Sequence, residues 1–213
     1  MLEIAFAWLP QLFSAAILTL ALAAVIFAIS GALGLALALL VRSAASPWPR
    51  RAAEGFSSIF RSLPELVVLF FLFFGGVQIG LDLGAVGSTI VAFGLVGIAF
   101  DYQVFKGALS AIPEGQFDGA RALGLSRWRL FGLVILPQML PLARKGWITY
   151  AIATIKRLSI ASAVSVSEIM YVTKQAIAAT NEPFLFLSIA IGLYILIVTP
   201  LLAFNERPQK ARR

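Results

Sequence analysis

Residues 13–41 read FSAAILTLALAAVIFAISGALGLALALLV, with no charge until Arg42. A helix crossing a bilayer needs roughly 20 mostly apolar residues, and this run exceeds that. The rest of the chain agrees: 60% of its 213 residues are hydrophobic and only 13% are charged. The mean hydropathy is +0.93. Soluble domains are about half apolar and a quarter charged, so the composition is that of an integral membrane protein. The net charge of +7 would suggest nucleic acid for a soluble protein, but in a membrane protein it follows from the excess of basic residues in cytoplasmic loops. The chain has no cysteine and no histidine, which excludes a disulfide framework, thiolate metal sites and ordinary zinc chemistry. The first residues, MLEIAFAWLP, carry Glu3 without a basic region and do not read as a cleaved signal peptide.

Four more apolar segments follow, at 65–79, 85–109, 147–171 and 184–204, giving an all-α protein of five spans in one transmembrane domain over 1–213. Arg42, Arg50, Arg51 and Arg61 fall between spans one and two. Lys106, Arg121, Arg127, Arg129, Arg144 and Lys145 fall between three and four, and Arg207, Lys210, Arg212 and Arg213 end the chain. Those are 14 of the 17 basic residues, against Lys174 alone in the opposite loops. The bias predicts an outside N-terminus, a cytoplasmic C-terminus and a cytoplasmic loop between spans three and four.

Span four contains Lys156, Arg157 and Glu168 together with Ser159 and other hydroxyl residues. Charges at membrane depth face a bundle interior or a wet cavity, so the segment reads as one wall of a polar pathway, with Arg157 placed to meet a carboxylate. The plainer reading has Lys156 snorkelling and the serines packing between helices. Span two opens RSLPELVVLFFLFFGG. Pro64 would break a helix running through from Gly55, and a broken helix frees backbone groups near a transport site. A simple interfacial kink fits as well. Glu65 is either a charge at a helix N-terminus or part of the pathway.

The loop 113–137, PEGQFDGARALGLSRWRLFGLVILP, predicts two helices at an angle. Pro113 and Glu114 suit a first turn, and Gly124 suits the stop of a helix running to about Leu123. Ser126 reads as the next N-cap, with Leu125 and Leu130 as a hydrophobic staple. Pro137 limits how the second helix continues. Gly119, Ala120 and Gly124 permit close approach of another backbone, and Asp118, Arg121, Arg127 and Arg129 suit a soluble partner. On these grounds alone, a docking surface and a bland connector stay level.

The same stretch resembles the cytoplasmic loop signature of binding-protein-dependent ABC importer permeases, E-A-A, three residues, G, nine residues, I-x-L-P. Asp118-Gly119-Ala120 stands for E-A-A, Gly124 for the glycine, and Val134-Ile135-Leu136-Pro137 for the ending. Starting instead at Glu114 would put Ala120 where the glycine belongs. VFKGALSAIPEGQFDGARALGLSRW, RSLPELVVLFFLFFG and the later NEPF are similar to the polar amino acid branch, the histidine, arginine and opine permeases. The resemblance implies a coupling helix seated on a pair of separate ATPase subunits, with Glu114, Asp118, Gly119, Ala120, Arg121, Gly124, Leu136 and Pro137 at or near that contact. It also implies a second permease subunit, identical or similar, and a periplasmic or cell-surface binding protein delivering substrate. The chain has no G-x-x-x-x-G-K-[ST] loop, so ATP and Mg are expected on the partner ATPase, and this subunit is expected to be no enzyme and to hold no cofactor or metal. Pro64, Glu65, Gln103, Lys156, Arg157, Ser159 and Glu168 are the expected pathway residues. Relatives often carry an acid where Gln103 stands and a small or acidic residue where Arg157 stands, while Glu168 keeps their acidic character. The resemblance implies import of polar amino acids, with basic amino acids or opines favoured; that pattern weakens the case for a purely cationic substrate and is compatible with an amino acid or opine bearing an extra carboxylate. A channel or secondary transporter without an ATPase is the competing reading, and a non-transporting scaffold is a third.

Overall fold

The computed structural model describes residues 2–206, and every element among them is helical. The basic residues at 207, 210, 212 and 213 lie outside the described residues. Helix α1 (Leu2–Ser43) begins 11 residues before the expected span. At 1.5 Å per residue it is about 63 Å long, twice the apolar thickness of a bilayer. It runs alongside all three parts of the core. Leu12, Ala15 and Ala16 near its start pack with Ile169, Ala176 and Phe186. Leu22, Ala23 and Ile26 join Leu69, Phe93, Ile155 and Leu158, and Ala38 joins Phe105, Phe117 and Met139. The early start is a tertiary effect, because Leu12 and its neighbours have apolar surface to cover.

The break expected at Pro64 is present. Helix α2 (Trp48–Ser62) ends at Leu63, and α3 (Glu65–Phe70) begins after Pro64, whose ψ of 129° is extended. The two axes meet at 100°. The second apolar segment continues through a π-helical turn, Phe71–Gly75, into the short α4 (Gly76–Gln78). This arm, Glu65–Gln78, reaches only about 21 Å. Helix α5 (Gly84–Ser110) matches the third expected span.

Helix α5 crosses α1 at glycines. A Cβ on Gly34 would stand 2.7 Å from Asp101 Cβ, and one on Gly97 would stand 2.6 Å from Ser30 Cβ. Small residues allow this backbone approach, which packing in lipid requires because apolar tails give no hydrophobic drive.

After α6 (Glu114–Ala122), the chain turns into α7 (Arg127–Arg129), a π-helical stretch Leu130–Ile135, and α8 (Leu136–Arg157). These join without a gap, so the second helix of the loop is not stopped at Pro137. Pro137 sits at the start of α8, directly after the wider π turns, where the hydrogen-bond ladder is already disrupted and a missing N–H costs little.

The expected span 147–171 is not one continuous helix. Helix α8 ends at Arg157, a 3-10 segment Leu158–Val164 follows, and Ser165 turns left-handed at φ 65°. Helix α9 (Ile169–Thr180) then starts at Glu168. Arg157 therefore ends a helix at a break inside that segment. Serines that return hydrogen bonds to the preceding turn, Ser159 to the Lys156 carbonyl and Ser162 to the Ser159 carbonyl, favour such a tightened segment. Helix α10 (Pro183–Glu206) matches the last expected span. Three helices, Glu3–Ser43, Gly84–Ser110 and Pro183–Glu206, are long and apolar enough to cross a membrane, and the bent pair around Pro64 makes up to four.

Candidate functional site

Two regions gather the residues singled out by the sequence. The first is α6 and its supports. Pro113 precedes the helix and Glu114 opens it. At its other end the Leu125 N–H donates to the Ala120 carbonyl and the Gly124 N–H to the Arg121 carbonyl. This paired capping is the Schellman arrangement, and it needs a left-handed residue, supplied by Gly124 at φ 70°. Ser126 occupies the following cap position, but its side chain makes no capping hydrogen bond. Only Phe117 and Ala120 of α6 are buried, and Phe117 packs with the ends of α1, α5 and α8. Leu136 packs on the same cluster.

Arg42 at the end of α1 donates to Glu114 Oε1 at 2.8 Å and lies 4.0 Å over the Phe117 ring. Gln138 of α8 donates to Gln116 at 3.3 Å. The helix is thus tied to α1 and α8 on one side. Its other side is open: a Cβ on Gly115, Gly119 or Gly124 would meet nothing within 4 Å. Asp118 and Arg121 pair with each other at 3.3 Å, both exposed. Leu123 and Trp128 are 81% and 85% exposed. Of the expected coupling residues, Ala120 and Leu136 therefore serve this chain's core. Gly119, Asp118, Arg121 and Gly124 face outward, Glu114 is held by Arg42, and Pro137 is exposed.

The second region lies where both broken helices meet. Arg157 Nη1 at the end of α8 is 2.7 Å from Glu65 Oε1 at the start of α3, with side chains 31% and 8% exposed. The contact is a charge pair without an aligned hydrogen bond, and the buried Arg157 Nη2 has no hydrogen-bond partner among the described residues. The guanidinium lies 4.9 Å from the Tyr150 ring centroid and 5.9 Å from that of Phe100, a geometry in which the ring faces attract the cation. Glu65 is thus both a first-turn charge and the partner of Arg157, and Pro64 sets its position.

The remaining pathway candidates lie elsewhere. Lys156 is exposed, turned about 100° from Arg157 around the helix. Gln103 donates to Glu54 Oε2 and to Ser57 Oγ of α2, both at 3.0 Å. Lys106 donates to Glu54 Oε1 in the same cluster. That hydrogen bond, ahead of those from Gln103 and Tyr102, holds the Glu54 carboxyl below the usual glutamate range despite partial desolvation. Glu168 is fully buried and caps α9, accepting from the Met170 and Tyr171 N–H groups at 2.9 and 2.8 Å and from the Tyr194 hydroxyl at 3.3 Å. Its geometry is that of an N-cap enclosed by its own chain.

The sequence reading passed over two sets of residues. Asp101 is fully buried in α5, accepting from Ser30 Oγ at 2.7 Å. A lone carboxylate within the apolar run 85–109 is a signal for such a residue. The Glu54–Lys106 and Arg42–Glu114 pairs join positions 52 and 72 residues apart, and no local pattern announces them.

The family model for a binding-protein-dependent transport system inner membrane component matches residues 30–207. The arginine ABC transporter permease protein ArtQ of Haemophilus influenzae is 28% identical over 197 residues, covering 89% of this chain and 88% of its own. The histidine/lysine/arginine/ornithine transport system permease protein HisM of Salmonella typhimurium is 28% identical over 166 residues, 73% of this chain and 70% of its own. Among solved structures, an amino acid ABC transporter crystallised with histidines superposes with a TM-score of 0.83 at 22% identity, covering 94% of both chains. The MetNI methionine ABC transporter gives 0.79 at 21% identity, covering 93% of this chain and 94% of its own. With a helical membrane fold, an outward glycine face on α6 and a family match over most of its length, the chain belongs to the inner membrane components of binding-protein-dependent transport systems.

Proposed function

We propose that this chain is one permease subunit of an ATP-driven importer for polar amino acids or opines in the bacterial cytoplasmic membrane. The observation that carries the reading is the open face of α6. Gly115 and Gly119 leave room for another backbone, while Phe117 and Ala120 anchor the opposite face. An ATPase subunit pair docks there, carrying ATP and Mg, and a binding protein delivers solute from the other side of the membrane. Five spans with the N-terminus outside remain the proposed topology, supported by the basic residues gathered beside α6. A second permease subunit, identical or similar, completes the path. The names of the relatives support amino acid cargo, and Arg157, a partly exposed cation stacked on Tyr150, is the residue proposed to meet a solute carboxylate. A channel or secondary transporter would have no use for the α6 face.

Gly119→Leu tests this reading. A Cβ at this position meets nothing within 4 Å among the described residues, and leucine raises helix propensity by up to about 1 kcal/mol, so the permease should be at least as stable. Copurification of the ATPase and ATP-driven uptake should fall more than about tenfold, equivalent to roughly 1.4 kcal/mol of lost docking energy. Full association and uptake in that variant would refute docking through α6.

A further inference from the structure

Two guanidinium groups from different helices meet at the ring of Phe100 in α5. Arg157 Cζ, at the end of α8, lies 5.9 Å from the ring centroid. Arg61 Cζ, in the last turn of α2, lies 5.6 Å from it. The two cations are therefore within about 11.5 Å of each other. One carboxylate stands against them. Glu65 pairs with Arg157, whereas Arg61 is exposed and forms no salt bridge among the described residues. Asp101 follows Phe100 along α5, but it is fully buried and accepts from Ser30 of α1. Helix α5 is long and apolar enough to cross a membrane. Phe100 falls inside it, about 24 Å from its start and 15 Å from its end. Cations held at that depth face a polar path or a bundle interior, not lipid tails.

We propose that Arg61 and Arg157 together bind the two carboxylates of an amino dicarboxylate, so that this permease selects acidic amino acids or opines of that class over cationic amino acids. The class follows from the charge count. Two cations and one carboxylate are the inverse of a solute bearing two carboxylates and one ammonium group. One solute carboxylate takes the place of Glu65 on Arg157, which leaves Glu65 to meet the ammonium group. The second carboxylate goes to Arg61. Each guanidinium–carboxylate contact adds about 4 Å between carbon atoms, so a short dicarboxylate spans the pair even at its widest. A cationic amino acid would bring its side-chain charge against Arg61, which no acid neutralises. A monocarboxylate would leave Arg61 without a partner. The inference deepens the importer reading and rests on it.

The test is equilibrium binding of solutes to the permease purified with its ATPase and without a binding protein, so that selectivity is read on the membrane subunits. Glutamate and the opine N-(1-carboxyethyl)alanine are the dicarboxylate probes. Glutamine is the monocarboxylate of matching shape, and arginine is the cation. At least one dicarboxylate should bind about tenfold or more tightly than glutamine and arginine, the change expected for hydrogen bonds to a charged group. Arg61→Gln should cut the preference over glutamine by about tenfold or more, and Arg61→Lys, which keeps the charge, should retain most of it. Glutarate lacks the ammonium group and should gain on glutamate in Glu65→Gln. Arginine binding as tightly as the better dicarboxylate overturns the proposal, as does binding of none of the probes. An unchanged preference in Arg61→Gln overturns it too and leaves Arg61 as packing on Phe100. Failure of the importer reading would appear separately, as absence of a copurifying ATPase whichever solute the permease binds.

Discussion

Removing Arg157 should cost far more than removing its partner, although the two form one contact. Glu65 is 8% exposed and Arg157 is 31% exposed. Breaking a buried ion pair from one side costs about 3–5 kcal/mol, mostly because the other charge stays buried and uncompensated. Arg157→Gln leaves that burden on Glu65 at the start of α3, and the partial exposure of the pair puts the cost at the low end, about 3 kcal/mol. Glu65→Gln leaves an arginine that keeps solvent contact and its place over Tyr150 and Phe100, so about 1 kcal/mol is expected. The double variant removes both charges and should cost about 2 kcal/mol, a coupling of roughly 2 kcal/mol in the cycle. Reversible unfolding of the four proteins in mixed detergent measures this directly. Equal costs for the two single variants, or a coupling below about 0.5 kcal/mol, would refute the reasoning and reduce the pair to a surface contact. If the pair also lines the proposed path, Arg157→Gln should change substrate-stimulated ATP hydrolysis beyond the change seen in Glu65→Gln.

Gly34→Val should destabilise the α1–α5 crossing by about 1–3 kcal/mol, because its Cβ would meet the Tyr102 backbone nitrogen at 2.9 Å as well as Asp101. The yield and melting temperature of the purified subunit report it. Gly124→Ala, with open space but φ 70°, should cost about 1 kcal/mol through the backbone alone and loosen α6, read as faster amide exchange at Leu125. Glu54 has a depressed pKa, so its contribution is complete above the ordinary glutamate value of 4.5. It should fade as pH falls below that value through the lower folded one. Unfolding measured across that window should show a stability loss that Glu54→Gln abolishes.

The reach of the sequence can be judged residue by residue. The apolar runs at 13–41, 85–109 and 184–204 announced three long helices, because a lipid-facing helix must be apolar along its length. Pro64 announced the break between α2 and α3, since it cannot donate to the ladder and restricts the residue before it. Gly124 and the spacing from Asp118 to Pro137 announced α6 and its left-handed stop. These features follow from local chemistry, which a sequence carries in full.

What the sequence left open depends on contacts between distant segments. Apolar character over 147–171 could not distinguish one span from α8, a 3-10 turn and α9. The difference rests on Glu168 capping a new helix and on Ile169 and Phe186 packing against α1. Pairing Arg157 with Glu65, Gln103 with Glu54 and Arg42 with Glu114 required the folded chain, as did the choice of which side of α6 is buried, that of Phe117 and Ala120. The sequence by itself determined a helical membrane protein, its broken second segment and the glycine-bearing loop, because periodicity and caps act over a few residues. Only the tertiary structure decided which charges meet and which glycines stay open, because those depend on how the helices cross.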